Sequence, residues 1–99
     1  MARFHLTKPA AKDLKEILSY IRKLSPEAAR RVKKEFRAAM AKLADMPHMG
    51  HPRADVPDER YRFWSLYSYV IGYRPETRPL EITRIIHGAR NLGRFFRDE

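Results

Sequence analysis

Apolar positions along the chain keep two different rhythms, and the change from one to the other falls near the middle. Phe4 and Leu6 alternate with Arg3 and His5, the period-two pattern of a short strand with one buried face. Leu14, Ile17, Leu18 and Ile21 then recur at i, i+3, i+4 and i+7, with Ala11 and Leu24 extending the stripe. Lys12, Lys15, Glu16, Arg22 and Lys23 fill the opposite side, so the pattern predicts an amphipathic helix over residues 9–24. Thr7 stands where a cap belongs, and Pro9 is tolerated in a first turn because its missing N–H has no partner there to lose. In "LSPEAA", Ser25 as cap, Pro26 behind it and Glu27 near the positive end of the dipole start a second helix. Ala29, Val32, Phe36, Ala39, Met40 and Leu43 carry that helix to about Met46, where Pro47 disfavours helical geometry in the residue before it. So short a gap between the helices predicts an antiparallel hairpin.

The second rhythm begins after a loop, "PHMGHPRADVPDE", rich in proline and poor in apolar residues. "RYRFWSLYSYVIGYR" is aromatic and β-branched, and predicts two strands joined by a turn around Leu66 to Ser68. Tyr69, Ile71 and Tyr73 share one face of the second strand; Val70 and Gly72 take the other. "PETRP" turns the chain, and "LEITRIIH" reads as a further strand, with Leu80, Ile82 and Ile86 on one face and Thr83 and Ile85 on the other. Apolar residues on both faces place it centrally, covered on both sides. Strand, helix, helix, loop, three strands and a tail predict an α+β domain of two layers, in which the helical hairpin packs on one face of a small twisted antiparallel sheet. To leave both helices on one side, the first strand must return to pair within that sheet.

Composition narrows this picture. Ninety-nine residues suit one domain spanning 1–99, and 43% hydrophobic residues exclude a wholly disordered chain. No apolar run approaches the roughly 18 residues that a membrane span needs, and the N-terminus lacks the pattern of a signal peptide, so a cytoplasmic protein is expected. Without cysteine there is neither a disulfide frame nor a thiolate site, and His5, His48, His51 and His87 form no HExxH pair; no metal and no cofactor are expected. The loudest global feature is charge, +9 with a pI near 10.3, a surface that attracts nucleic acid or an acidic protein. Arg30, Lys33, Lys34 and Arg37 stripe the second helix, but no aromatic interleaves them, so they read as a solvated face and direct nucleic-acid contact is not expected.

Four stretches, "FHLTKPAAKDLKEILSYI", "DMPHMGHPR", "YVIGYRP" and "EITRIIHGARN", together resemble the ParE/RelE superfamily of toxins from bacterial type II toxin–antitoxin systems. The similarity covers roughly residues 4–91, and it is greater to the ParE branch. That resemblance implies a helical hairpin on a small twisted antiparallel sheet. It also implies a growth-inhibiting, plasmid-stabilising toxin that traps the cleaved DNA complex of DNA gyrase, and a cognate antitoxin that neutralises it. The RelE branch cleaves mRNA on the ribosome and is the alternative.

His87 carries that alternative. RNA cleavage by 2′-hydroxyl attack needs a base, an acid and cations at the developing phosphate charge. His87 with Arg84 and Arg90, and with Arg60 and Arg62 on a neighbouring strand, supplies the residue types. RelE-like nucleases, however, commonly place a tyrosine at the end, alone or with a histidine, whereas Gly88 and Ala89 follow His87 and Tyr73 lies on another strand. Arg84 and His87 are also three apart, hence on opposite faces of a straight strand. Three readings of His87 stay open: the polar end of a buried strand, an acid/base, or a contact to a protein target. A non-catalytic toxin is expected, and its target contact is sought in the tail: Phe95 and Phe96 as aromatic anchors, with Arg90, Arg94 and Arg97 beside them; the alternative is that both rings tuck under the helices and finish the core. The antitoxin is expected to be acidic and partly disordered when free, to add a strand or lay a helix in a groove, and to touch Tyr20, Trp64, Tyr67 and Tyr69.

Overall fold

In a computed structural model, which describes residues 3–88 and 92–96, the elements follow in the expected order. They are β1 (Phe4–Leu6), α1 (Lys8–Leu24), α2 (Pro26–Asp45), β2 (Arg62–Leu66), β3 (Tyr69–Arg74) and β4 (Leu80–His87), with short 3₁₀ turns at Pro47–Met49 and Leu92–Arg94. The helix ends form as the sequence dictates. Thr7 Oγ1 accepts from the Ala10 N–H at 3.2 Å. Ser25 serves both helices: its N–H donates to the Ile21 carbonyl at 2.8 Å, and its hydroxyl accepts from the Ala28 N–H at 3.1 Å. With a single residue between them, the helices fold back and pack on each other.

The strands lie in the order β1-β4-β3-β2. β1 returns to the sheet, as one-sided helix packing requires, and β4 is central. One detail departs from expectation. β1 pairs with β4 in parallel (Phe4↔Leu80, Leu6↔Ile82), so the sheet is mixed and only β2, β3 and β4 form an antiparallel meander. Alternation of side chains has period two in either pairing, so the hydrophobic pattern is blind to strand direction.

A second departure changes which residues face the helices. Gly72 pairs with Arg84 but Tyr73 pairs with Ile82, which leaves Thr83 as an extra residue in β4. This β-bulge inverts the alternation beyond it. Ile85, expected opposite Leu80 and Ile82, joins them beneath the helices, and Ile86 turns to the other face.

The sheet therefore separates two apolar clusters. Under the helices, Leu18, Phe36, Met40 and Leu43 meet Ile71, Tyr73, Leu80, Ile82 and Ile85. On the far face Val56, Phe63, Val70, Ile86, Leu92 and Phe96 form a smaller one, covered by the loop before β2 and by the C-terminal segment. Covering both faces of the central strand is what its apolar residues on both sides predict.

Candidate functional site

β1 protects the outer edge of β4 only as far as Ile82. Beyond it, side chains of α1 and its cap take over. The Thr7 hydroxyl donates to the Thr83 carbonyl at 2.8 Å, and the Asp13 carboxylate accepts from the Ile85 N–H at 3.0 Å. Asp13 also receives the Arg84 guanidinium on two donors, at 2.7 and 2.9 Å. This half-buried fork holds the Arg84 pKa above its ordinary value. The same guanidinium lies 4.9 Å from the centre of the Phe95 ring. Arg84 thus joins β4, α1 and the C-terminal segment.

His87 lies on the face opposite Arg84, as alternation requires, beside its cross-strand partner Tyr69. Its exposed ring meets the Tyr69 ring edge-on, with centroids 5.5 Å apart, and Tyr69 in turn packs against Phe36 at 6.0 Å. Arg62 pairs with Tyr73, four residues further along β3, so it stands about 13 Å down the sheet from His87 at roughly 3.3 Å per residue. Its Nη1 donates to the Gly50 carbonyl at 2.8 Å. Arg60, expected on a strand, sits in the turn before β2. There it forks onto Asp58 (2.7 Å at the shortest) and holds that carboxyl down at about 2, chiefly by hydrogen bonding. Arg90 lies outside the described residues. Among the described residues the cations proposed for phosphate thus do not converge on the imidazole: Arg60 and Arg62 occupy the other end of the sheet, and Arg84 is bound to Asp13.

The tail treats its two phenylalanines differently. Phe96 is only 3% exposed and is a core residue of the far face, edge-on to Tyr61 at 5.1 Å and to Phe63 at 5.0 Å. Gly72 makes the room: a Cβ there would fall 2.2 Å from the Phe96 ring. A glycine inside a strand was the sequence signal of that close approach. Phe95 is half-buried beneath Arg84, Arg94 is exposed, and Arg97 lies outside the described residues.

Of the four large side chains expected at an antitoxin contact, Tyr20 (63%) and Tyr67 (55%) are exposed, while Trp64 and Tyr69 are half-buried against the helical core. Tyr67 opens the two-residue β2–β3 turn in the left-handed region, at φ 56°, which costs a non-glycine residue on the order of 1 kcal/mol. Its hydroxyl donates to Glu35 of α2, and that bond raises its pKa. Elsewhere on the molecule a groove of about 370 Å³ runs between the helices, with Leu6, Leu14 and Leu18 as its floor and Lys15, Arg22 and Lys33 at its rim; none of Tyr20, Trp64, Tyr67 and Tyr69 lines it. Among the described residues no three His, Asp or Glu side chains are placed to hold a metal ion. No described helix is long and apolar enough to cross a membrane.

This helical hairpin on a four-stranded sheet has counterparts. The family model of the ParE toxin of type II toxin–antitoxin systems, parDE, matches residues 4–92. The chain belongs to the ParE toxin family. The ParE match takes in every strand and helix, with the Arg84–Asp13 fork and His87; Arg94, Phe95 and Phe96 lie past its end. Nine solved chains are similar to this ParE chain. One of them, from the chromosomal ParDE TA system of P. aeruginosa, is 22% identical with a TM-score of 0.68, over 85% of this chain and 92% of that one; it shares the fold. No curated protein matches the sequence.

Proposed function

We propose that this ParE-type toxin acts by occupancy, binding DNA gyrase and trapping its cleaved DNA complex, and that a cognate acidic antitoxin neutralises it. The ParE match over residues 4–92 carries the reading. The geometry supports it, because Arg60, Arg62 and Arg84 bind acceptors of their own chain and do not gather around His87. Exposed Arg94 and half-buried Phe95 remain candidates for the target contact, whereas Phe96 belongs to the core. The groove between the helices suits an antitoxin segment that brings apolar residues for Leu14 and Leu18 and carboxylates for Lys15, Arg22 and Lys33. Tyr20 and Tyr67, exposed but outside that groove, would be reached only by a second stretch of the antitoxin.

One observation favours a ribosome-dependent mRNA endonuclease as the second reading: His87 is exposed and Tyr69 lies against it. The two are separated by adding the purified chain to a gyrase supercoiling reaction and, in parallel, to a translation extract. Accumulated cleaved DNA with intact mRNA is the expected result. Intact supercoiling with shortened mRNA would overturn the proposal, above all if His87→Ala abolished the cutting, since losing a positioned acid or base costs about 10²–10⁴ in rate. Co-expression with a short acidic protein encoded beside the gene should give a complex that copurifies and suppresses the gyrase effect.

A further inference from the structure

The positive charge of this chain is unevenly committed. Outside the helices Arg3, Arg53, Arg60, Arg62, Arg74, Arg78 and Arg84 each bind a carboxylate or a carbonyl of the same chain. The two helices, Lys8–Asp45, hold eleven Lys and Arg against five Asp and Glu, a net +6 of the total +9. The densest part is on α2. There Arg30, Arg31, Lys33, Lys34 and Arg37 are all exposed, and among the described residues none is hydrogen-bonded or ion-paired.

We propose that this face of α2 binds the phosphate backbone of duplex DNA without reading its sequence. The five side chains bound one concavity of about 610 Å³ with no carboxylate and no aromatic ring in its lining. Arg30, Lys33, Lys34 and Arg37 stand at i, i+3, i+4 and i+7, a single row about 10 Å long at 1.5 Å per residue. Like charges at these spacings destabilise a helix, and a polyanion laid along the row removes that repulsion. The chemistry selects the anion. Arginine serves protein contacts and phosphate alike, but the lining holds no aromatic anchor and no apolar side chain, and two of its five residues are lysine, the type depleted at the centres of protein–protein contacts, so phosphate fits it better than an acidic protein. Without a ring to stack on, single-stranded bases gain nothing. What remains is fixed phosphate charge, about one per 1.7 Å of duplex axis. The face was expected to be merely solvated; its unpaired state and its shared concavity go beyond that. The proposal holds whether or not gyrase is the target, and its surface shares Lys33 with the antitoxin groove.

The test is fluorescence anisotropy of a labelled random-sequence duplex, titrated with the full chain at several salt concentrations. Engagement of four phosphates predicts that log K falls with log salt at a slope of about −4, roughly a two-hundred-fold loss of affinity between about 50 and 200 mM. Replacing Arg30, Lys34 and Arg37 with glutamine should bring the slope to about −1; the charge-matched replacement of Lys8, Lys12 and Lys23 should leave it within about one unit of the parent. Circular dichroism confirms that both variants are folded. Absence of binding by the parent at low salt overturns the proposal without any variant. Equal losses in the two variants would overturn it too, because diffuse charge and not the α2 row would then be responsible.

Discussion

Tyr73 shows how much of this molecule turns on single side chains. Its ring is fully buried, and its hydroxyl accepts from the Gly50 N–H at 3.0 Å and donates to the Pro47 carbonyl at 2.6 Å. One phenol thus pins the loop after α2 to the sheet. Tyr73→Phe leaves both backbone groups without a partner and should cost about 1–3 kcal/mol in denaturant unfolding. Burial also raises the phenol's pKa from its ordinary 10.0. Above that pH the unfolded chain binds fewer protons than the folded one, so this contribution to stability is intact below pH 10 and is lost as pH rises through the folded value. The alkaline limb of a stability–pH curve should therefore be shallower in Tyr73→Phe. At the acid end Arg60→Ala should let the Asp58 carboxyl, held at about 2, return toward 3.8, a shift followed by NMR titration. The alternation of β3 already put Tyr73 on the helix face, but the Pro47 and Gly50 groups that its hydroxyl meets lie more than twenty residues away in sequence. No local pattern names them.

Among the elements, the edge of β4 is completed from outside the sheet. A three-residue β1 covers Leu80 to Ile82, and then Thr7 and Asp13 bind the backbone beyond its end. Asp13→Ala strands the Ile85 N–H and half-buries a lone Arg84, and about 2–3 kcal/mol should be lost. Asp13→Asn should lose less, because its amide oxygen still accepts from the Ile85 N–H. The far face is closed by the C-terminal segment over Gly72. Gly72→Ala forces its Cβ into the Phe96 ring and should lift that segment, with an overpacking cost of about 1–3 kcal/mol and faster hydrogen exchange at Leu92 and Phe96. A variant with unchanged exchange at both residues would mean that the segment is not seated by that ring. Helix boundaries and caps were legible because they are local: a hydroxyl, a proline and a 3.6-residue stripe suffice. The faces of Ile85 and Ile86 were not, since one extra residue in a strand is chosen by its partner strand and leaves no mark in the alternation itself.

For the whole molecule, two apolar clusters on either side of one sheet mean that the chain needs its tail to finish folding. Truncation after Gly88 uncovers Phe63, Val70 and Ile86, and removes Leu92 and Phe96, each burial being worth about 1.5–3 kcal/mol. The truncated chain should melt well below the parent and bind a hydrophobic dye; an unchanged melting temperature would show that the far face tolerates water. The same packing limits the tail as a contact surface, because a ring that closes the core, as Phe96 does, is not available to a partner.

Local chemistry in the sequence determined the number and order of the elements, the caps at Thr7 and Ser25, the α+β class, the excess of positive charge and the resemblance to ParE toxins. Each depends on residues within a turn or two of one another, or on totals that folding does not change. Tertiary structure alone decided the parallel pairing of β1, the bulge at Thr83, the burial of Phe96 over Gly72 and the commitment of Arg60, Arg62 and Arg84 to acceptors of their own chain. These outcomes depend on which distant groups come within hydrogen-bond or contact distance, and a one-dimensional pattern carries no such distances.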